Sequence, residues 1–175
     1  SRDVFDGPVG TGHAAISCGD LEQEGTPYLD CVVGEAAGYA YLYSDKYDAA
    51  NGADTADYKF EYELEVDQIA SSNIVPMCLD FEQSDLYSCV YGAVNGRVYY
   101  QRNAGNEGQF VAAYMESRVT LIKTEQANAA PFCADFDNDG DIDCIVGYDN
   151  GANDTGVQLW KNDCKNRYCT LNSSV

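Results

Sequence analysis

The chain has 175 residues, and its 29 acidic and 10 basic side chains give a formal net charge of −19. A surface this acidic repels phosphate, which excludes nucleic acid and anionic membranes as partners and favours cations. No apolar run reaches the length of a membrane span, so we expect no membrane insertion, and the length suffices for one domain with a core.

One pattern occurs three times along the chain: Cys, one residue, Asp, an acidic loop, a second Cys, two apolar residues and Gly. The copies read CGDLEQEGTPYLDCVVG from Cys18, CLDFEQSDLYSCVYG from Cys78 and CADFDNDGDIDCIVG from Cys133. Each is followed by Gly and an alternating strand, namely GYAYLYSD, GRVYYQRN or GVQLWKND. Such internal copies indicate a repeat protein, whose units bury their faces by stacking on their neighbours.

In chain order, we predict an amino-terminal leader (1–13), three repeats (about 14–67, 74–124 and 129–163) and a disulfide-closed tail (164–175). YKFEYELEV (58–66) alternates apolar and charged residues and predicts a strand, and FVAAYMES (110–117) and RVTLIKTE (118–125) also read as strands. No outer strand follows VQLWKN in the third repeat, which is therefore expected to be incomplete. The predicted fold class is all-β, with short antiparallel strands and no helix.

The third acidic loop has an aspartate at every second position: Asp135, Asp137, Asp139, Asp141 and Asp143. Carboxylates this close repel one another unless water solvates them or a cation neutralises them. Gly140 permits a tight turn that brings them around one centre, and such hard oxygen ligands suit Ca²⁺. An EF-hand would need Glu at loop position twelve, where Val146 stands. The alternative is a solvated acidic turn without metal.

The segment DFDNDGDIDCIVG…GVQLWKN resembles the FG-GAP or VCBS type of β-propeller repeat, whose blades carry a D-x-D-x-D-G-x-x-D calcium loop. The resemblance covers nearly the whole chain and is most specific in the third repeat. It implies three propeller-type blades of short antiparallel strands, with the acidic loop in the first hairpin of each blade and the last blade incomplete. It also implies Ca²⁺ ligands from the side chains of Asp135, Asp137, Asp139 and Asp143 and from the carbonyl of Asp141.

The first two repeats depart from the calcium pattern. In the first, Asp20, Glu22 and Glu24 match, but two extra residues precede Asp30, so a second metal site there is an open alternative. The second loop keeps two acidic positions and has serine at two others, and we expect it to bind Ca²⁺ weakly or not at all. Its residues at these positions are Asp80, Glu82, Ser84 and Ser88.

Eight cysteines with a single histidine, His13, favour disulfides over zinc and predict an oxidising, extracellular location, secreted or at the cell surface. Sequence alone leaves many pairings open, but the repeats narrow them to one bridge across each loop hairpin and one in the tail. The expected pairs are Cys18–Cys31, Cys78–Cys89, Cys133–Cys144 and Cys164–Cys169. The sequons NDT at Asn153 and NSS at Asn172 predict glycosylation. The chain begins without Met or a signal peptide, which predicts a processed chain or a fragment.

The sequence contains no recognisable catalytic constellation. His13 lies in a Gly-rich leader without a nucleophile motif, so we expect no enzyme, although two carboxyls at a suitable separation are all that glycosidase chemistry requires. Alternating tyrosines at positions 39, 41 and 43 predict strand packing or, alternatively, a sugar-binding or self-association surface.

The missing outer strand and the leader favour a structural function. A sheet with an open edge accepts a strand from another chain, and a head-to-tail contact gives a ring or a filament. We therefore predict an extracellular structural protein that assembles with other copies of itself into a filament or another homopolymer by strand complementation. The alternative is a ligand-binding or adhesion module with a protein or glycan ligand.

Overall fold

The protein is all-β. The computed structural model describes residues 5–6, 12, 14–22, 29–44, 58–64, 73–106, 110–124, 126–149, 151, 155–162 and 172–173, with 5–6, 58–64 and 172–173 described by their backbone. Within these residues the chain forms three sheets and one 3₁₀ turn. The described part of the chain contains no long apolar helix of the kind that crosses a membrane.

The first sheet contains the first repeat. Its strands lie in the order β1 (Phe5–Asp6), β5 (Tyr58–Leu64), β4 (Ala40–Ser44), β3 (Asp30–Gly34) and β2 (Ala15–Gly19). Neighbouring strands are antiparallel except β1, which runs parallel to β5. The predicted strand at 58–66 is confirmed over Tyr58–Leu64, its remaining two residues lie outside the described residues, and two leader residues pair with it.

The second sheet repeats this arrangement with four antiparallel strands. They lie in the order β6 (Val75–Leu79), β7 (Ser88–Gly92), β8 (Arg97–Gln101) and β9 (Val119–Lys123). The strand expected at 110–117 was wrong, because Ala112–Tyr114 forms a 3₁₀ turn. The Tyr114 N–H donates to Val111 O at 3.0 Å, and Ala at two successive positions favours a helical turn over a strand.

The third sheet has a fourth strand as well, so the outer strand that was expected to be absent is present but very short. The four strands lie in the order β10 (Ala130–Ala134), β11 (Asp143–Asp149), β12 (Thr155–Lys161) and β13 (Asn172–Ser173). The fourth strand has only two residues, which pair with Trp160 and Lys161. Two residues cannot show a period-two pattern, which is why the sequence did not reveal this strand.

The three sheets pack in chain order through two apolar layers. One layer joins the first and second sheets and includes Val32, Leu42, Ile74 and Tyr91. The other joins the second and third sheets and includes Val90, Val98, Ala129, Cys144 and Val146. Each sheet therefore buries its faces against its neighbour in sequence, as expected for stacked repeats.

Both layers depend on a glycine that admits the next repeat at close range. A Cβ on Gly34 would collide with the Ile74 carbonyl and with Pro76 Cδ, and a Cβ on Gly92 would collide with the Ala129 carbonyl and with Pro131. Backbone bonds reinforce both junctions: Ile74 N donates to Glu35 O at 3.1 Å, and Ala129 N donates to Ala93 O at 3.0 Å. The final Gly of the repeated pattern is thus the contact point between sheets.

A disulfide joins the first two strands of each repeat. The pairs are Cys18–Cys31, Cys78–Cys89 and Cys133–Cys144, with Cα atoms 4.1, 4.1 and 4.0 Å apart. In each case the two cysteines face each other in the antiparallel register. These three pairings are as predicted, and they are typical of an oxidising compartment. Cys164 and Cys169 lie outside the described residues.

Candidate metal centre

The third acidic loop connects β10 to β11 and is folded by its own first aspartate. The two oxygens of Asp135 accept the Asp139 and Gly140 N–H groups at 3.2 and 3.1 Å. This closure requires left-handed backbone at Asn138 (φ 60°) and Gly140 (φ 96°), and these are residue types that tolerate such a conformation. The turn predicted at Gly140 is therefore present.

The closed loop gathers three carboxylates. Asp135, Asp137 and Asp139 each offer an oxygen, and these atoms lie within 4.8 Å of one another on an exposed surface. Such a group could hold a metal ion, because carboxylate oxygens are hard ligands. The group does not include Asp143, which was predicted as a fourth side-chain ligand. Asp141, predicted as a ligand through its backbone carbonyl, donates its N–H to Asp139 Oδ1 at 3.0 Å.

Asp143 ends the loop and differs from the other aspartates in its burial. Its exposed fraction is 1 %, and its Oδ1 accepts the Asn162 N–H at 2.8 Å. No group among the described residues donates to its buried Oδ2. A buried carboxylate oxygen without a donor is costly, and a cation at the mouth of the loop would compensate it.

Lys161, at the end of β12, supplies a positive charge that sequence reading missed. Its Nζ lies 2.7 Å from Asp137 Oδ2. This contact lowers the pKa of the Asp137 carboxyl, chiefly through the hydrogen bond from Lys161. The ammonium therefore partly neutralises the acidic cluster. The signal was present in the sequence as a Lys directly after Trp160, but only the pairing of β11 with β12 brings it to the loop.

The second loop has the same shape without the same carboxylates. Asp80 accepts the Ser84 and Asp85 N–H groups at 2.9 and 3.0 Å, as Asp135 does in the third loop. Positive φ values recur at the two matching positions, Gln83 and Asp85. The described residues of this loop contain no metal-binding group. The fold of the loop is thus compatible with serine at ligand positions.

A hydrogen bond joins two of the ligand-type positions in the second loop. The Ser88 hydroxyl donates to Glu82 Oε2 at 3.0 Å, and Ser88 occupies the position of Asp143. Burial raises the pKa of the Glu82 carboxyl, and the bond from Ser88 offsets this only in part. The ionised form of Glu82 is therefore less favourable in the folded protein than in the unfolded chain.

Replacing Glu82 with Gln should stabilise the protein at pH 7, because the amide keeps an acceptor for Ser88 without the charge. The pKa of the Glu82 carboxyl is raised in the folded protein, so the protonated side chain favours folding. This stabilisation is complete at low pH and is lost as the pH rises through the folded-state pKa. The advantage of Glu82→Gln should thus disappear below pH ~4. Thermal unfolding at pH 3.5 and 7 measures it; an equal difference at both values would contradict the assignment.

The first loop gives a weaker site. Asp30 is buried at the position of Asp143, and its Oδ2 accepts the Glu22 N–H at 3.2 Å. Asp20 lies half-buried, and Glu24 lies outside the described residues. The described acidic residues of this loop do not form a metal-binding group, so a second metal there remains a prediction.

The other predicted residues lie apart from the acidic loops. His13 and Asn153 are outside the described residues, and Asn172 pairs with Lys161 in the short strand β13. Tyr41 and Tyr43 are buried in the first sheet, and the Tyr41 hydroxyl donates to Glu35 Oε1 at 3.1 Å. The packing interpretation of these tyrosines is therefore confirmed.

Comparison with known proteins adds no relative. No family model matches this chain, and neither does any curated protein or any solved structure. The assignment of the site consequently depends on the loop geometry and on the chemistry of its ligands.

Replacing Asp143 with Asn tests the metal centre directly. Asn retains an acceptor for the Asn162 N–H but removes the buried charge, so Ca²⁺ affinity should fall by about tenfold or more. Isothermal titration calorimetry measures the change. The matched control is Asp149→Asn, an exposed aspartate on the same strand that should leave affinity unchanged. Equal affinities for Asp143→Asn and the parent would exclude Asp143 from the site.

Proposed function

We propose that this chain is a non-catalytic extracellular structural protein that assembles with other copies of itself into a filament or another homopolymer. The observation that carries the proposal is the outer edge of β12. This strand has seven residues, and β13 covers only Trp160 and Lys161. No described strand pairs with residues 155–158 on that side, which is an arrangement that accepts an added strand.

The other two sheets support this interpretation by contrast. In the first, β5 pairs with β4 from Ala40 to Ser44, and in the second, β9 pairs with β8 from Arg97 to Tyr100. Among the described sheets, only the third has a long third strand whose outer edge pairs with a strand of two residues. Strand complementation would complete it with a segment of a second copy.

The proposal includes propeller-type repeats and Ca²⁺. The recurring hairpin, disulfide and stacking order support a propeller-type blade for each sheet, in line with the FG-GAP or VCBS resemblance. The carboxylate group of the third loop and the buried Asp143 support Ca²⁺ as the ion, because hard oxygen ligands prefer it. Ca²⁺ would fix the loop and lower the repulsion between copies that carry a net charge of −19.

A ligand-binding or adhesion function is the second candidate. It is favoured by Phe132 and Phe136, two exposed aromatic residues beside the acidic loop whose ring centroids lie 6.1 Å apart. Exposed aromatic rings near a cation are suited to a glycan, which offers apolar faces and hydroxyl groups. A glycan-binding screen on monomeric protein tests this candidate.

Light scattering on the untagged chain, with Ca²⁺ and then with a chelator, tests the assembly function. We expect species much larger than the 19.1 kDa chain in Ca²⁺, filaments in negative-stain images, and dissociation in chelator. A monomer under both conditions would refute self-assembly and leave the ligand-binding candidate.

A further inference from the structure

The two internal junctions show which faces of each sheet are covered. Aligning the repeats on their disulfides gives each sheet a leading face, which packs on the preceding sheet, and a trailing face, which packs on the following one. Met77 and Val98 belong to the trailing face of the second sheet, and Cys133 and Val146 belong to the leading face of the third. The leading face of the first sheet and the trailing face of the third have no sheet against them in the described residues.

The leading face of the first sheet is exposed along its edge strand β2 and at Leu29, whereas Val33, Tyr41 and Tyr43, farther across the same face, are buried. Ile16 is 52 % exposed, whereas Pro76 and Pro131, at the same position of later repeats, are buried. Leu29 is exposed too, although its counterparts Tyr87 and Ile142 pack into the two internal layers. These residues are apolar like their counterparts in the two internal junctions, but no described sheet packs against them.

The trailing face of the third sheet, at the other end of the stack, also carries exposed apolar residues. Val157 is 68 % exposed, whereas its counterpart Val98 is 0 % exposed. Phe136 is exposed, and its counterpart Leu21 is buried in the first layer. Phe132 lies on this same face.

Gly147 occupies the position in the third repeat that Gly34 and Gly92 occupy in the first two, but no described atoms of a following repeat lie close to it. The atom nearest to a Cβ built on Gly147 is the Ala130 carbonyl oxygen, at 3.8 Å, and its φ is outside the left-handed region. The junction glycine of the third repeat therefore has open space where the other two glycines meet the next repeat.

Most of the large hydrophobic residues that are exposed in the described chain lie at these positions. Of the seven large hydrophobic residues exposed in the described chain, five lie on the two end faces: Ile16, Leu29, Phe132, Phe136 and Val157. Exposed apolar residues concentrated at two complementary ends indicate an interface.

We propose that the trailing face of one copy docks on the exposed β2 part of the leading face of a second copy and reproduces the part of the internal junction that β6 and β10 form. The segment Ala14–Ile16 of the incoming copy would lie over Gly147, as Ile74–Pro76 lies over Gly34. The Ala14 N–H would donate to the Tyr148 carbonyl, which corresponds to Glu35 O and Ala93 O in the internal junctions. The proposal takes its partner, a second copy, from the proposed function but does not use the edge of β12.

This contact is heterologous, so it either closes into a ring or continues as a filament. Two copies would place six sheets in sequence, a number within the range of closed propellers. Because both copies are strongly acidic, docking should strengthen as salt screens their repulsion.

Three substitutions test the interface by light scattering and analytical ultracentrifugation in Ca²⁺. Gly147→Val fills the open space, Ile16→Asp charges the leading face, and Val157→Asp charges the trailing face. Each should weaken association by about tenfold or more while leaving the monomer folded, since all three positions are open to solvent or spacious. The matched control is Val119→Asp, which charges an exposed valine away from both faces and should assemble as the parent does.

Mixing distinguishes head-to-tail docking from other contacts. Ile16→Asp retains a trailing face, and Val157→Asp retains a leading face. An equimolar mixture should therefore form a dimer of twice the 19.1 kDa chain mass and nothing larger, although each variant alone stays monomeric. Restoration of dimers only by mixing would establish the polarity of the interface.

The outcomes separate this interface from the proposed function. If the parent chain forms a closed dimer and nothing larger, and Gly147→Val abolishes that dimer, the interface is supported and a filament is refuted. A parent chain that polymerises together with all three variants overturns the interface and leaves strand addition at β12. A parent chain that is monomeric at every soluble concentration overturns both.

Discussion

Replacing Gly92 with Ala is expected to destabilise the fold by about 2 kcal/mol or more, a large effect for one methyl group. The added Cβ would collide with the backbone carbonyl of Ala129 and with Cδ of the rigid Pro131 ring, and both residues belong to the next repeat. These atoms are held by the Ala129 N–H bond to Ala93 O at 3.0 Å, so they cannot move aside without opening the junction. Chemical denaturation of the monomer at low protein concentration measures the loss.

Gly147→Ala is the matched control for Gly92→Ala. It makes the same change at the same position of the third repeat, where the nearest atom is 3.8 Å from the new Cβ. The variant should be neutral or more stable by up to ~1 kcal/mol, because alanine restricts the unfolded chain. Equal losses for the two variants would show that strand propensity, and not the sheet junction, sets the requirement for glycine.

Removal of the Cys78–Cys89 disulfide by paired alanine substitutions should cost about 4 kcal/mol. Chain entropy accounts for about 3 kcal/mol of this in the usual model, given a sequence separation of 11. The remainder arises because both sulfurs lie in the layer between the first and second sheets, where alanine leaves a cavity. Guanidinium unfolding of the oxidised parent and of the variant measures the difference.

The Cys18–Cys31 pair provides the comparison. Its separation of 13 gives nearly the same entropy, and Cys31 is as buried as Cys89, but Cys18 on the edge strand β2 is exposed whereas Cys78 is buried. Its removal should therefore cost less, about 3 to 4 kcal/mol, because only Cys31 leaves a buried cavity. A larger loss for this pair than for Cys78–Cys89 would contradict the placement of the second disulfide in a buried layer.

The local features of the fold were predictable from the sequence. Strict alternation and turn residues located the hairpins, and the repeated Cys–loop–Cys pattern located three disulfides in facing positions. The carboxylate group of the third loop was predictable as well, because Asp135, Asp137 and Asp139 share one short turn. Each of these features depends on residues that lie close together in sequence.

The remaining features depend on contacts between distant segments. The two-residue strands at Phe5–Asp6 and Asn172–Ser173 have no period, so only pairing with a longer strand defines them. Lys161 reaches Asp137 because β12 pairs with β11, which the spacing of the two residues does not indicate. The recurrence of Gly34 and Gly92 was visible, but the carbonyls that require them belong to the following repeat.

The stacking order should make amide protons exchange more slowly in the central sheet than in the two end sheets. The second sheet is flanked by a sheet on both faces, whereas each of the others has one such neighbour among the described residues. In a linear array with nearest-neighbour coupling, local opening begins at the ends, and the centre opens only when both junctions fail. Amide protons of β7, whose residues are all buried, should therefore exchange slowest, while the two ends of the stack fray first. The acidic loop that gathers the carboxylates lies in one of the fraying units, so a bound cation would hold the end of the array that is otherwise first to open.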